Sequence, residues 1–136
     1  MLISNEHEAA AFLLYSSIAI DGELTDHELG KVANIIVYCK KFQGVDLKSL
    51  ITKFFLLKAT KQPLEIIEQA APLIPDDFKK TLFAMLCDLL CSDGETSQLD
   101  INLFVLVGNS LKLPKDDFLP IAYAFMDRYA WNHRIA

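Results

Sequence analysis

Glycine and proline are scarce in this chain, five of each in 136 residues, too few for a low-complexity or disordered sequence. Cysteine is scarcer. Three of them, lying inside apolar helical patterns, fit a reducing compartment better than a disulfide framework. No apolar run approaches the roughly 18 residues a spanning helix needs, and no basic n-region of signal-peptide type opens the chain. The expected setting is therefore the cytoplasm, with no membrane span. Basic residues do not cluster beyond pairs such as Lys40-Lys41 and Lys79-Lys80, and the formal charge is -5. That leaves no electrostatic footprint for gripping phosphates and argues against a nucleic-acid partner. Period-two alternation is missing too, so no stretch reads as a strand.

What is present is apolar surface. The chain is 52% hydrophobic and 23% charged, about one domain long, and can bury roughly two thirds of the surface its unfolded form would expose. Residues 1–136 are read as a single domain. Apolar positions recur at helical spacing and predict seven helices, hence an all-α fold: a compact bundle with short connections.

The first helix, about Asn5 to Ile20, is apolar nearly all round, which suggests a central position. The second starts at Thr25, buries Leu29, Val32, Ile36 and Cys39, and runs to about Phe42 before Gly44 stops it. The third, about Asp46 to Lys58, buries Leu47, Leu50, Ile51 and Phe54. Pro63 opens a fourth that Pro72 and Pro75 close. A fifth begins at "IPDDFKK", with Pro75 in its first turn, and buries Phe78, Leu82, Met85, Leu86 and Leu89. The sixth begins at Ser97 and uses Phe104, Val107 and Leu111. The seventh follows Pro114 and buries Phe118, Ile121, Ala122, Phe125 and Tyr129. Its tail, "DRYAWNHRIA", is expected to seal the bundle rather than offer Trp131 to a partner.

A shift of 72 residues superposes "IAIDGELTDHELG" (18–30) on "LCSDGETSQLDIN" (90–102). Asp21-Gly22-Glu23 falls on Asp93-Gly94-Glu95, Thr25 on Ser97 and Glu28 on Asp100. This is an internal pseudo-repeat of two helical hairpins. Every residue in these turns has an ordinary structural job. Gly22 and Gly94 can take the left-handed conformation that ends a helix, and Thr25 with Glu28 makes a capping box. Ser97 with Asp100 is a weaker version.

A calcium loop wants acids or Asn at positions 1, 3 and 5, Gly at 6 and Glu at 12. With Asp21 at position 5, Gly22 and Glu28 fit, but positions 1 and 3 fall on Ser17 and Ala19, and in the second copy on Leu89 and Cys91. Neither turn is an EF-hand. Yet Asp21 and Asp93 stand where a helix ends, the unfavourable end of the dipole for a negative charge. With Glu23, Glu28, Glu95 and Asp100 they make six carboxylates in two turns, a density that, where the turns converge, a cation, a neighbouring helix N-terminus, Lys or Arg, or raised carboxylate pKa values would relieve.

Two copies of a helix ending in "DGE", followed by a Ser/Thr cap and an acid three residues on, resemble the TerB-like tellurite-resistance family, from about Glu8 to Tyr129. The resemblance implies a bacterial, cytoplasmic helical bundle associated with stress response and an acidic site for a divalent cation; calcium is the ion we favour. Carried across, that metal site would use Asp21, Glu23 and Glu28 with Asp93, Glu95 and Asp100. The second copy departs from the pattern in having Thr96 where an apolar residue is expected and Asp100 in place of Glu. Tellurite itself is an oxyanion that carboxylates repel, so any resistance is expected to be indirect.

Cys87 and Cys91, four apart on one helix, read as packing rather than as a soft-metal pair, and Cys39 likewise. His7, His27 and His133 are scattered and read as surface. No phosphate-cradling loop, serine elbow or CxxC pair is present. The expected function is a non-enzymatic stress-response domain that mediates protein interactions, its acidic turns binding a divalent cation. The alternatives are a plain helical interaction or homodimerisation module without metal and, third, a carboxylate-held metal hydrolase.

Overall fold

The structure, a computed structural model, describes residues 3–20 and 24–135, with side chains described as far as residue 131. It is all-α, with seven α-helices and no strand among the described residues. The chain packs as two compact units, Met1–Pro75 and Asp76–Ala136. No described helix is long and apolar enough to cross a membrane.

In the first unit, α1 (Glu6–Ala19) starts where the Asn5 side chain accepts a hydrogen bond from the Glu8 N–H, with Glu6 and Glu8 near the positive end of the dipole. Every residue from Ala9 to Ala19 is buried, as its all-round apolar character predicts. α2 (Asp26–Val37), α3 (Leu47–Lys58) and α4 (Pro63–Ala70) all pack on it. Phe54 of α3 inserts between Phe12 and Tyr15, with ring centroids 5.8 and 5.2 Å away. Lys53 Nζ then reaches Glu8 Oε1 at 2.6 Å and ties α3 to α1 at the rim.

α2 is shorter than its apolar stripe suggests: it ends at Val37, not near Phe42. Cys39 turns extended, and a 3-10 turn at Lys40–Phe42 follows. Leaving the helix here lets Phe42 swing into the core, 4% exposed, with its ring on His7. Gly44, at φ 81°, reverses the chain where a side chain would be strained. Asp46 caps α3 by accepting from the N–H groups of Lys48 and Ser49 and from the Ser49 hydroxyl. Pro63 opens α4 as expected, and a 3-10 turn at Ala71–Leu73 ends it.

In the second unit, Asp76–Phe78 forms a 3-10 turn and α5 spans Lys79–Cys91, so this helix starts four residues after Pro75. Asp76 is bridged to Lys79 at 2.9 Å across that turn. Phe83 is the centre of this core, 6.3 Å from Phe104 of α6 (Gln98–Ser110) and 5.3 Å from Phe118 of α7 (Lys115–Ile135). Met85, expected in the buried stripe, is half-buried, and Cys87 and Cys91 are buried instead. On α7 only Phe118 and Ala122 of the expected stripe are buried, while Ile121, Phe125 and Tyr129 are half-buried. Trp131 is 55% exposed and does not seal the core. The hydroxyl of Tyr129 instead donates to the Asp88 carboxylate and joins α7 to α5.

The repeat is visible in the element boundaries. α1 and α5 end at 19 and 91, and α2 and α6 begin at 26 and 98. Both copies pack the first helix against the second and the third: α1 on α2 and α3, α5 on α6 and α7.

Candidate acidic turns

Each hairpin turn begins where its first helix stops. α5 closes at Cys91 with Ser92 as cap, and the Ser92 hydroxyl donates to the Leu89 carbonyl. The Gly94 N–H bonds the Cys91 carbonyl at 3.0 Å while Gly94 sits at φ 87°, the left-handed helix stop that "DGE" predicts. Asp93 Oδ1 accepts from the Glu95 N–H at 3.3 Å, and both acids are exposed. Beneath them the Thr96 hydroxyl lies 3.8 Å from Cys91 Sγ. Thr96, which breaks the expected apolar pattern after "DGE", is thus half-buried over the end of α5.

The caps that follow are complete in both copies. Glu28 accepts from the Thr25 N–H at 3.1 Å and the Glu28 N–H returns to Thr25 Oγ1 at 3.2 Å. Asp100 accepts from the Ser97 N–H at 3.1 Å and the Asp100 N–H returns to Ser97 Oγ at 3.1 Å. The second box, expected to be the weaker because Asp is shorter than Glu, closes with the same geometry. Glu28 and Asp100 are therefore engaged by backbone N–H groups. A cation recruiting either would compete with its cap.

Of the six carboxylates, Asp21 and Glu23 lie outside the described residues. Glu28 and Asp100 are half-buried in their caps, and Asp93 and Glu95 are exposed at one turn. Among the described residues no group of three or more His, Cys, Asp or Glu side chains is placed to hold a metal ion. His27 is exposed at the start of α2, and His7 packs edge-on against Phe42.

The thiols are placed for packing. Burial pushes Cys87 well above the ordinary thiol range, helped by the charges of Cys91 and Asp88, and burial raises Cys91 as well. The polar pair Asp88–Tyr129 was not singled out from the sequence. Its only signal was one acid inside the apolar run "LCDLLC" of α5. The hydrogen bond to Asp88, then burial, pushes the Tyr129 phenol up to about 12.

No family model matches the chain, and neither does any curated protein or solved structure.

Proposed function

We propose that this chain is a non-enzymatic helical interaction domain of the tellurite-resistance, stress-response type. The observation that carries the reading is the duplicated hairpin: two helix-turn-helix copies in one register, each with its acidic sequence followed by a closed capping box. Two further features support it. Two of the three thiols, Cys87 and Cys91, are buried with raised pKa values. Large apolar side chains such as Tyr38 and Leu56 face solvent at 88% and 59% exposure. The test is genetic. Deleting the gene in its native host should lower tellurite tolerance, while the purified protein should leave tellurite unreduced; unchanged tolerance would sink the stress-response reading.

A second reading adds a divalent cation, calcium before others. It is supported by Asp93 and Glu95, exposed carboxylates separated by Gly94 at the carboxyl end of α5, where negative charge is least welcome. Asp21 and Glu23 are the matching acids of the first copy. Calcium needs about 6 to 8 oxygens, so backbone carbonyls and water would complete the shell. Calorimetric titration of metal-stripped protein should release heat, and Asp93→Asn should weaken it. A flat titration at about 1 mM calcium, the weak end of the range for protein calcium sites, leaves the plain interaction module.

A further inference from the structure

The chain-wide charge hides an uneven distribution. Residues 40–61 carry six lysines (Lys40, Lys41, Lys48, Lys53, Lys58, Lys61) and one acid, Asp46, a formal +5. The rest of the chain then holds 7 of the 13 basic residues and 17 of the 18 acids, a formal -10. Two of the six lysines are neutralised: Lys41 by Glu6 at 2.8 Å and Lys53 by Glu8 at 2.6 Å. Lys40, Lys48, Lys58 and Lys61 make no ion pair among the described residues. Asp46, whose carboxylate is turned onto the N-terminus of α3, is also within electrostatic reach of Lys48 and offsets one charge of the stretch.

Within that stretch, α3 presents an outward face at helical spacing: Lys48, Thr52, Phe55, Leu56 and Ala59, all exposed. Phe55 is 41% and Leu56 59% exposed, an apolar pair on a helix whose opposite face already buries Leu50, Phe54 and Leu57. Beside the pair lies an open concavity of about 440 Å³ lined by Asp46, Lys48, Ser49, Thr52, Lys53 and Leu56. It brings the Lys48 ammonium and the Asp46 carboxylate, with two hydroxyls already bonded to Asp46 and to the Lys48 carbonyl, beside the aliphatic wall of Leu56.

From this juxtaposition we infer that the outward face of α3 docks an acidic amphipathic helix of a partner protein. Its apolar stripe covers Phe55 and Leu56, and its acidic side chains lie toward Lys48, the exposed ammonium on the same face. Charge complementarity selects the partner: four lysines outside ion pairs against Asp46 leave the stretch a formal +3 that draws an acidic segment, while the acid-rich remainder of the chain repels it. The inference rests on reading the chain as an interaction domain. It stands or falls separately from the tellurite phenotype, because it is tested on purified protein.

The probe is a fluorophore-labelled synthetic peptide of about 14 residues, long enough to turn helical when bound, with Leu on one face and Glu on the other. A control peptide carries Gln for Glu, and binding is followed by fluorescence anisotropy with the full chain. The Glu peptide should bind at about 50 mM salt and weaken several-fold at about 500 mM as screening shortens the reach of the charges. The double variant Lys48→Glu/Leu56→Ser should weaken it about tenfold, whereas Lys115→Glu, on the second unit, should change it less than about twofold. Both altered side chains on α3 are exposed, and unchanged melting checks the fold; should the double variant melt early, Leu56→Ser alone makes the comparison. Several results overturn the inference: no binding of the Glu peptide, equal binding of the Gln peptide, or equal losses in the α3 and Lys115 variants. Preferential binding to phosphatidylserine vesicles that the double variant abolishes would make the face a membrane contact. Self-association in ultracentrifugation that it abolishes would make the occupant a second copy.

Discussion

The two copies of the hairpin share their caps and differ in their interiors. At equivalent register positions, 72 apart, the first copy has Ser16, Ile36 and Leu57, all buried, where the second has Asp88, Gly108 and Tyr129. One copy fills two of these positions with aliphatic side chains and the third with Ser16, whose buried hydroxyl has no hydrogen-bond partner among the described residues. The other uses a half-buried hydrogen bond between Tyr129 and Asp88, and a glycine that lets two helices touch. The third helix differs in the same spirit. α3 stops after 12 residues and hands over to α4, whereas α7 runs for 21 without a break. A repeated turn thus constrains the ends of helices and leaves their packing free to diverge.

The glycine is the point at which this divergence breaks most readily. A Cβ at Gly108 would sit 2.6 Å from the Phe118 ring, closer than atoms can pack, so α6 and α7 depend on its absence. Gly108→Val, which moves the second copy toward the β-branched Ile36 of the first, should destabilise the protein by about 3 kcal/mol in denaturant melts. A neutral outcome would mean that α7 can move away from α6.

The polar link comes next. Tyr129→Phe should cost about 1.5 kcal/mol, because a half-buried carboxylate loses its donor. The pH dependence has a definite sign. The folded phenol is raised from 10 to about 12, so its contribution is whole below pH 10 and is lost as pH climbs through about 12. The variant and the parent should therefore converge in stability in alkaline melts and differ most near neutrality.

The smallest effects test the likeness itself. Thr25→Ala and Ser97→Ala each remove one capping box and should cost about 1 kcal/mol apiece. Near-equal losses would match the equal geometry of the two boxes. A loss at Thr25 alone would mean that Asp100 holds α6 less firmly than its distances imply.

The helices and their caps were legible because their causes are local. Asn5, Thr25, Asp46 and Ser97 each start a helix with a side chain that reaches only two or three residues ahead. The stop at Gly94 was legible for the same reason. The end of α2 was not, because Phe42 leaves the helix to reach a buried site beside His7, and a linear pattern cannot show where that site is. The start of α5 was missed because Asp76 and Asp77 look like a first α-helical turn and form a 3-10 turn instead. On α3, Leu50 and Phe54 are buried as expected, but Leu47 and Ile51 are half-buried and Leu57, which the pattern did not single out, is buried instead. The acidic turns were half legible: sequence already read Glu28 and Asp100 as cap partners, and the geometry showed the Asp100 box to close as fully as the Glu28 box.

By itself the sequence determined an all-helical chain, the repeat of 72 and the capped acidic turns, since helix periodicity, capping and glycine stops act over a few residues. Tertiary structure alone decided that Trp131 stays exposed, that Tyr129 meets Asp88, and that Gly108 admits Phe118. These depend on which helix faces which, and contact between residues up to 41 apart along the chain leaves no local trace in the sequence.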